Sequence, residues 1–331
     1  MRRFILSLAM LGCLFVAISA AQVGAKPQAR IAPSHGYAKA IELTIGDVRA
    51  VLCPEAGGRV LEFSRGGKDA MWLDPEEAKR KPGQGERSSA GRFDFGPELT
   101  TPSHPKLWSG EWAGEITGQC SARLTSQKDE ASGVQLSRDF ELTNNGGVPR
   151  LDCKQTIVNI SGEPKEYCHW GRSFSPGGGI CLIPLAGKSR FPSKYALYEE
   201  SAIINVKATD EQIRERDGFL EILAPPRKPK LGFDSQAGWL AYAMPNNTLF
   251  VKRFAVYPDR VYSEAAGLTI SVWYPPGARI ELEPIGPRER LAPGDKASFT
   301  EEWLLLEHPF PKPGEQIDLA RLRQQVEALP R

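Results

Sequence analysis

Three side chains suited to binding chemistry lie within four residues of one another: His169, Trp170 and Arg172, shortly before the glycine run 177–179. A histidine can transfer a proton near neutral pH, an indole offers a flat face, and a guanidinium carries a fixed charge with several donors. Together they suit a polar, ring-shaped ligand. The alternative interpretation is an edge hairpin in which His169 only satisfies a hydrogen bond in the core.

A second group of candidate residues, Arg92, Asp94, His104 and Trp108, lies within the irregular stretch 91–108. Loops that hold aromatic rings and convergent polar groups are often binding sites. The alternative is a packed connector between strands, and the residues alone do not decide between the two.

The elements that must position these residues are strands. Apolar and polar residues alternate in short runs separated by Gly, Asn and Pro turns, which is typical of half-buried strands. Such runs recur at 41–45, 48–52, 59–63, 135–142, 151–158, 268–274, 279–283 and 298–306. Helix spacing is found only in the tail, where Leu319, Leu322, Val326 and Leu329 follow a capping Asp318. The pattern predicts an all-β sandwich or barrel with a short C-terminal helix.

The charge balance argues against nucleic acid as the main partner. The chain of 331 residues carries a formal net charge of +2. Arg2 and Arg3 lie in an N-terminal segment that we expect to be removed, and without them the chain has 40 basic and 40 acidic residues. Nucleic-acid-binding domains need a basic surface. We therefore expect a partner other than nucleic acid, and the sequence does not determine the oligomeric state.

Residues 1–25 have the three parts of a secretory signal: a basic start, an apolar run and a small-residue cleavage site. The apolar run is too short for a membrane span, and no later segment is apolar enough for one. Cys13 offers lipidation as an alternative. We expect a signal peptide at 1–25, a loose leader at 26–40, one β domain at 41–307 and a tail with a helix at 308–331. The mature protein is then periplasmic or extracellular.

Five cysteines remain after this signal: Cys53, Cys120, Cys153, Cys168 and Cys181. Export permits disulfides, but the odd number leaves at least one thiol unpaired, and the pairing cannot be read from the sequence. Buried free thiols on strands are an equally good interpretation. The spacings fit no metal site, so we expect neither a metal nor a cofactor.

Several of these stretches, in order, resemble the galactose mutarotase-like superfamily, which includes the aldose 1-epimerases. The matching stretches are PEAGGRVLEF at 54–63 with GKDAMW at 67–72, TIVNISGEP at 156–164 before His169 and Phe174, and IELEP at 280–284 before LAPGD at 291–295. The nearest likeness is to secreted bacterial members of unknown reaction. The resemblance implies a β-supersandwich, two large antiparallel sheets with a sugar-sized groove on one face.

The resemblance also implies roles for individual residues. In the epimerases a histidine protonates the sugar ring oxygen while a glutamate takes the proton from the anomeric hydroxyl, which requires an acid and a base on opposite sides of the ring. By position His169 is the acid and Glu283 the base, with Glu281 as the fallback on the same face of its strand.

Substrate binding falls to a further set of residues. It consists of Trp170, whose ring can stack on a sugar, Arg92 or Arg172, which can hold sugar hydroxyls, and His104, which corresponds to a second family histidine.

Three functions follow from these expectations. The first is an exported carbohydrate-binding protein that holds a sugar in a groove on one sheet. The second is an aldose 1-epimerase-type isomerase that uses His169 and Glu283. The third is a non-enzymatic structural or interaction domain whose groove is filled. An open groove with accessible aromatic rings favours the first, and the epimerase requires both catalytic side chains in one cavity.

Overall fold

The computed structural model describes residues 26–80, 88–200 and 203–330, so the expected signal peptide lies outside the described residues. Its first sheet has twelve strands. They are β1 (Gln28–Ser34), β2 (Tyr37–Ile45), β3 (Val48–Cys53), β4 (Arg59–Arg65), β5 (Lys68–Asp69), β6 (Gly91–Gly96), β11 (Lys165–Pro176), β13 (Ala196–Glu200), β14 (Ile203–Asn205), β17 (Lys230–Phe233), β20 (Ile270–Trp273) and β21 (Arg279–Leu291).

The second sheet has ten strands. They are β7 (Ala113–Gly118), β8 (Ser121–Thr125), β9 (Val134–Asn145), β10 (Val148–Asn159), β12 (Ile180–Pro184), β15 (Ile213–Arg216), β16 (Phe219–Ile222), β18 (Trp239–Met244), β19 (Thr248–Phe254) and β22 (Lys296–Glu307). The helices are α1 (Pro105–Trp108) and α2 (Leu319–Glu327), with 3-10 turns at Glu77–Lys79 and Ala265–Gly267.

All strand pairs in both sheets are antiparallel within the described ranges. In the first sheet the order is β1-β2-β3-β4-β6-β11-β21-β20-β17-β13-β14, with β5 beside β4. In the second it is β15-β16-β12-β18-β19-β22-β10-β9-β8-β7. The predicted all-β sandwich of two large antiparallel sheets is confirmed.

The main core lies between the two sheets and is centred on Trp303 of β22. The Trp303 ring stacks on Phe93 of β6 at 5.4 Å and meets Phe250 of β19 edge-on at 5.6 Å. A Cβ at Gly91 would lie 2.5 Å from the Trp303 ring, so only glycine lets the indole approach that strand. Large rings of this kind supply much of the apolar area that holds the sheets together.

A buried ion pair also joins the sheets. Lys252 Nζ of β19 lies 3.0 Å from Glu301 Oε2 of β22, and both side chains are fully buried. Lys252 donates to Ser173 Oγ at 3.0 Å and to the Leu282 carbonyl at 2.9 Å, and Trp303 Nε1 donates to Glu301 Oε2 at 2.9 Å. Buried charges persist only with such partners, so these bonds link the second sheet to β11 and β21.

Helix α2 covers the outer face of the second sheet, as its apolar spacing predicts. Leu319, Leu322 and Val326 are buried in a cluster with residues of β12, β18, β19 and β22 that point away from the main core. Asp318 caps the helix by accepting from the Arg321 backbone N–H at 3.0 Å.

The expectation of a loose leader at 26–40 is wrong. Gln28–Ser34 pairs with β2 as the edge strand β1, because the run of buried residues in β2 anchors that strand in the sheet and its open edge accepts another strand. The five cysteines outside the signal segment are all buried free thiols, and four of them lie on strands, namely Cys53, Cys153, Cys168 and Cys181.

Candidate functional site

A cavity of about 290 Å³ opens on the face of the first sheet that is turned away from the second sheet. Strands β6 and β11 form its floor, and the segment 98–109, which contains α1, forms its wall. The lining residues are Ser88, Asp94, Phe95, Glu98, Thr101, Pro102, Ser103, His104, Pro105, Trp108, Ser109, Trp170 and Arg172.

The register of β6 and β11 determines which side chains reach this cavity. Trp170 is opposite Asp94 and Arg172 is opposite Arg92. Because side chains alternate along a strand and paired residues point to one face, these four residues share the cavity face. The intervening residues of both strands point to the core between the sheets, and of these Phe95 also borders the cavity beside His104.

Helix α1 brings His104 and Trp108 into the wall of the cavity. Pro105 occupies its first turn, where proline is well tolerated, and His104 precedes it. The Trp108 carbonyl accepts from Arg92 Nη1 at 2.7 Å, and the Arg92 guanidinium lies 4.4 Å from the Trp108 ring centre. This contact fixes the half-buried indole beside the floor of the sheet.

His104 and Asp94 form an ion pair at the cavity wall. His104 Nε2 donates to Asp94 Oδ1 at 2.7 Å and Nδ1 donates to the Pro102 carbonyl at 2.7 Å. Two acceptors require two N–H groups, so the ring is an imidazolium. Burial opposes this charge, but the hydrogen bond and charge of Asp94 outweigh it and raise the pKa of His104. Both of its N–H groups are therefore engaged within the protein.

Arg172 presents a fixed cation to the cavity. Its Nε donates to Glu281 Oε1 at 2.7 Å, and its guanidinium lies 5.0 Å from the Trp108 ring and 5.4 Å from the Trp170 ring. Although burial opposes the charge, Glu281, Glu283 and Asp94 raise the pKa of Arg172 above its ordinary value. One-fifth of the side chain remains exposed, so the charge is available to a ligand.

Trp170 presents very little exposed surface to the cavity. It is 2% exposed, and its ring lies 5.4 Å from the guanidinium of Arg172 and 5.4 Å from the Lys230 ammonium. The ring therefore belongs to the floor of the site. Trp108, which keeps part of its surface accessible, is the ring that can contact a ligand.

Glu283 lies beneath this floor. It is 1% exposed, and its Oε2 has no hydrogen-bond partner among the described residues. Burial and the charge of Glu281 raise the pKa of Glu283 to about 8, although Arg172 and Lys230 act in the opposite direction. A raised pKa is common among catalytic carboxyl groups, so it is the burial of Glu283 that separates it from a ligand in the cavity.

The expectation that His169 lines the groove is wrong. His169 is fully buried between the sheets, where its ring stacks on Phe299 of β22 at 5.8 Å. Strand alternation explains this placement, because Trp170 and Arg172 on either side of it point to the cavity. Burial lowers the pKa of His169 to about 4, outweighing the opposite effect of the nearby Ala297 backbone. Neither ring nitrogen makes a well-formed hydrogen bond in the described part of the chain. The expected arrangement of His169 and Glu283 across one cavity is not formed.

The structure adds residues that the sequence did not single out. Lys230 of β17 pairs with Glu98 at the cavity rim and lies 5.0 Å from the Tyr198 ring. Lys230 is the partly exposed first residue of a short strand, Lys-Leu-Gly-Phe, whose other residues are buried. This polar start of an apolar strand is the sequence signal that could have identified Lys230 as a site residue. Lys230 reaches the Trp170 ring of β11 although β21 and β20 lie between β17 and β11, so its position depends on strand order and could not be read locally.

In residues 26–80, 88–200 and 203–330, no three His, Cys, Asp or Glu side chains are grouped so as to hold a metal ion. Across those ranges, no helix has the length and apolar character needed to span a membrane.

Comparisons with known proteins place the chain by fold. No protein-family model matches it, and no curated protein sequence matches it. Solved structures do. A galactose mutarotase-like protein from Lactobacillus casei covers 81% of this chain and 100% of its own, with 11% identity and a TM-score of 0.57. One from Clostridium acetobutylicum covers 85% and 99%, with 12% identity and a TM-score of 0.54.

The Slr1438 protein from Synechocystis is similar to the same extent, covering 79% of this chain and 93% of its own at 14% identity and a TM-score of 0.56. At these identities the likeness shows the fold. The chain has the galactose mutarotase-like fold, as the resemblance of its motifs implies.

Proposed function

We propose that this protein is an exported carbohydrate-binding protein that holds a sugar ring against Trp108 and Arg172 in the cavity on the first sheet. The observation that carries the proposal is the pairing of a half-buried indole with a charged guanidinium 5.0 Å from its centre, inside a polar cavity. An aromatic face binds the apolar side of a sugar ring, and a guanidinium donates to neighbouring hydroxyl oxygens.

Unpaired donors in the floor support a ligand rich in acceptor oxygens. The indole N–H groups of Trp108 and Trp170 are buried and have no acceptor within the described ranges. Buried donors are normally paired with protein, water or ligand. A cavity of about 290 Å³ is at the small end of ligand sites, which suits a single sugar ring better than a larger molecule.

Binding is better supported than epimerisation. An aldose 1-epimerase needs an acid and a base that face the sugar from opposite sides. His169 points into the core, both N–H groups of His104 are engaged, and Glu283 is buried with a raised pKa. The galactose mutarotase-like fold alone does not supply the activity.

Isothermal titration of the mature protein against a panel of monosaccharides tests the proposal. We expect Trp108→Ala to weaken the binding of the sugar by about 1–3 kcal/mol, or roughly fivefold to 150-fold in Kd, because one aromatic face is lost. Trp108→Phe should recover part of this loss. Tyr257→Ala, which removes an exposed ring outside the cavity, is the matched control. Binding to none of the sugars, or equal effects of Trp108→Ala and Tyr257→Ala, would overturn the proposal.

Export rests on residues 1–25, with their basic start, apolar run and small-residue cleavage site. We expect secreted material to begin between about Ala21 and Lys26, and N-terminal sequencing measures this. An intact N-terminus in the cytoplasmic fraction would contradict export without affecting the binding proposal.

A further inference from the structure

A second group of tryptophans and an arginine lies on the cavity face of the first sheet, beyond the cavity itself. Arg279 of β21 has its guanidinium 4.7 Å from the Trp72 ring centre and 5.4 Å from that of Trp273 on β20. All three side chains are half-buried, so each keeps accessible surface. Phe174 packs edge-on against Trp273 at 6.5 Å and supports the group from β11.

This group is continuous with the cavity through Glu281. Arg279 and Glu281 are two residues apart on β21 and share a face, and Trp273 is the strand partner of Glu281. Glu281 in turn accepts from Arg172, which lines the cavity. The strand partner of Arg279 is Pro176, four residues beyond Arg172 on β11, which corresponds to about 13 Å along the strand.

The Arg279 side chain differs from those of Arg59, Arg138 and Arg172 in its lack of protein hydrogen-bond and ion-pair partners within the described ranges. Arg59 pairs with Glu77, Arg172 with Glu281, and Arg138 donates to backbone carbonyls. Within the described ranges Arg279 forms neither an ion pair nor a hydrogen bond, and its Nε is buried without an acceptor. A guanidinium held by two rings and left with open donors is arranged for acceptor oxygens from outside the chain.

We infer that Trp72, Trp273 and Arg279 form a second sugar subsite, so that the ligand is a glycan chain of two or more residues. The inference rests on the proposed function, because the first residue of the chain occupies the cavity beside Trp108. The two groups are farther apart along the strand than one pyranose ring spans. A chain of linked sugars lying along β11 and β21 contacts both, with its oxygens accepting from Arg279 and from Arg172.

Titration with a sugar and its linear oligosaccharides of increasing length tests this subsite. Oligosaccharides of neutral sugars and oligosaccharides of uronic acids are titrated separately, since both hydroxyl and carboxylate oxygens can accept hydrogen bonds from Arg279. We expect the wild type to bind the longer chains at least tenfold more tightly than the monosaccharide. Arg279→Met keeps the length of the side chain and should abolish most of that gain while leaving the monosaccharide Kd unchanged. Trp273→Phe should reduce the gain by a smaller factor.

Arg260→Met is the matched control, because Arg260 also lies over an aromatic ring, that of Tyr257, but is away from the cavity. It should leave the gain intact. Oligosaccharides that bind no more tightly than the monosaccharide, or an Arg279→Met variant that weakens both equally, would overturn the subsite while the proposed function stands. A wild type that binds no sugar of any length would overturn both, and matched melting temperatures exclude misfolding of the variants.

Discussion

Replacement of His169 by Phe should remove an acid-sensitive step from the stability of this protein. His169 is fully buried between the sheets, and neither of its ring nitrogens makes a well-formed hydrogen bond in the described part of the chain. Phe has a similar planar shape and can stack on Phe299 as the imidazole does. Because two nitrogens without well-formed hydrogen bonds are lost, we expect the variant to match the wild type at neutral pH within about 1 kcal/mol.

The magnitude of the acid effect follows from the pKa. Burial lowers the pKa of His169 to about 4, whereas an unfolded histidine titrates near about 6.5. Between these values the unfolded chain binds a proton that the folded chain does not. The stability from the neutral ring is therefore complete above about pH 6.5 and is lost as pH falls towards 4. A pKa difference of about 2.5 units corresponds to about 3 kcal/mol.

Urea unfolding at a series of pH values from about 7 to about 4.5 measures this effect as a difference between proteins. Titration of every other group is common to both proteins, so we expect the wild type to lose about 2–3 kcal/mol relative to His169→Phe. His169→Asn, which is polar but does not titrate in this range, should lack the slope as well. Parallel curves for the wild type and His169→Phe would refute the assignment of a depressed pKa to this residue.

Two further predictions concern packing. Gly171→Ala should lower the free energy of unfolding in denaturant by about 3–5 kcal/mol, because its Cβ would lie 1.9 Å from Glu301 Oε1 and disturb a buried ion pair. Gly162→Ala is the control, because its Cβ meets no atom within 4 Å, and it should change the free energy of unfolding by less than about 1 kcal/mol. Equal effects of the two substitutions would contradict the clash. Leu322→Ala should lower the free energy of unfolding by about 2–5 kcal/mol, because it leaves a cavity between α2 and the second sheet. Arg321→Ala, at an exposed position of the same helix, should have little effect. An unchanged stability of Leu322→Ala would show that the helix does not stabilise the fold.

The strands and the terminal helix could be read from the sequence because their signals are local. A period of two identifies a half-buried strand wherever it occurs, as in β9, where buried and less buried residues alternate. The helix spacing of Leu319, Leu322 and Val326 and the cap at Asp318 are equally local, and the structure contains both. The fold class followed from these signals, and the order of the weak motifs implied the family of folds.

Part of the site was also accessible in this way. His104 and Arg172 lie in the cavity, as the sequence predicts, together with the neighbouring Asp94 and Trp108. The side of the sheet to which His169 points also follows from the local sequence, but the prediction for His169 did not take it into account. The strand extends through Arg172, so residues 169 and 170 must point to opposite faces, and only one of them can reach the cavity.

The tertiary structure alone decided which face is open and which charges meet. The second sheet covers one face of β11, and this makes His169 a core residue and Trp170 a floor residue. Arg172 meets Glu281 across 109 positions of sequence because β11 pairs with β21. Arg279 meets Trp273 because β21 also pairs with β20, and it meets Trp72 because the backbone of Trp72 bonds to Phe174 of β11. Side-chain alternation is a property of each strand by itself, whereas strand order and burial depend on the packing of the whole chain. The raised pKa of Glu283 and the lowered pKa of His169 therefore arise only when the sheets are assembled.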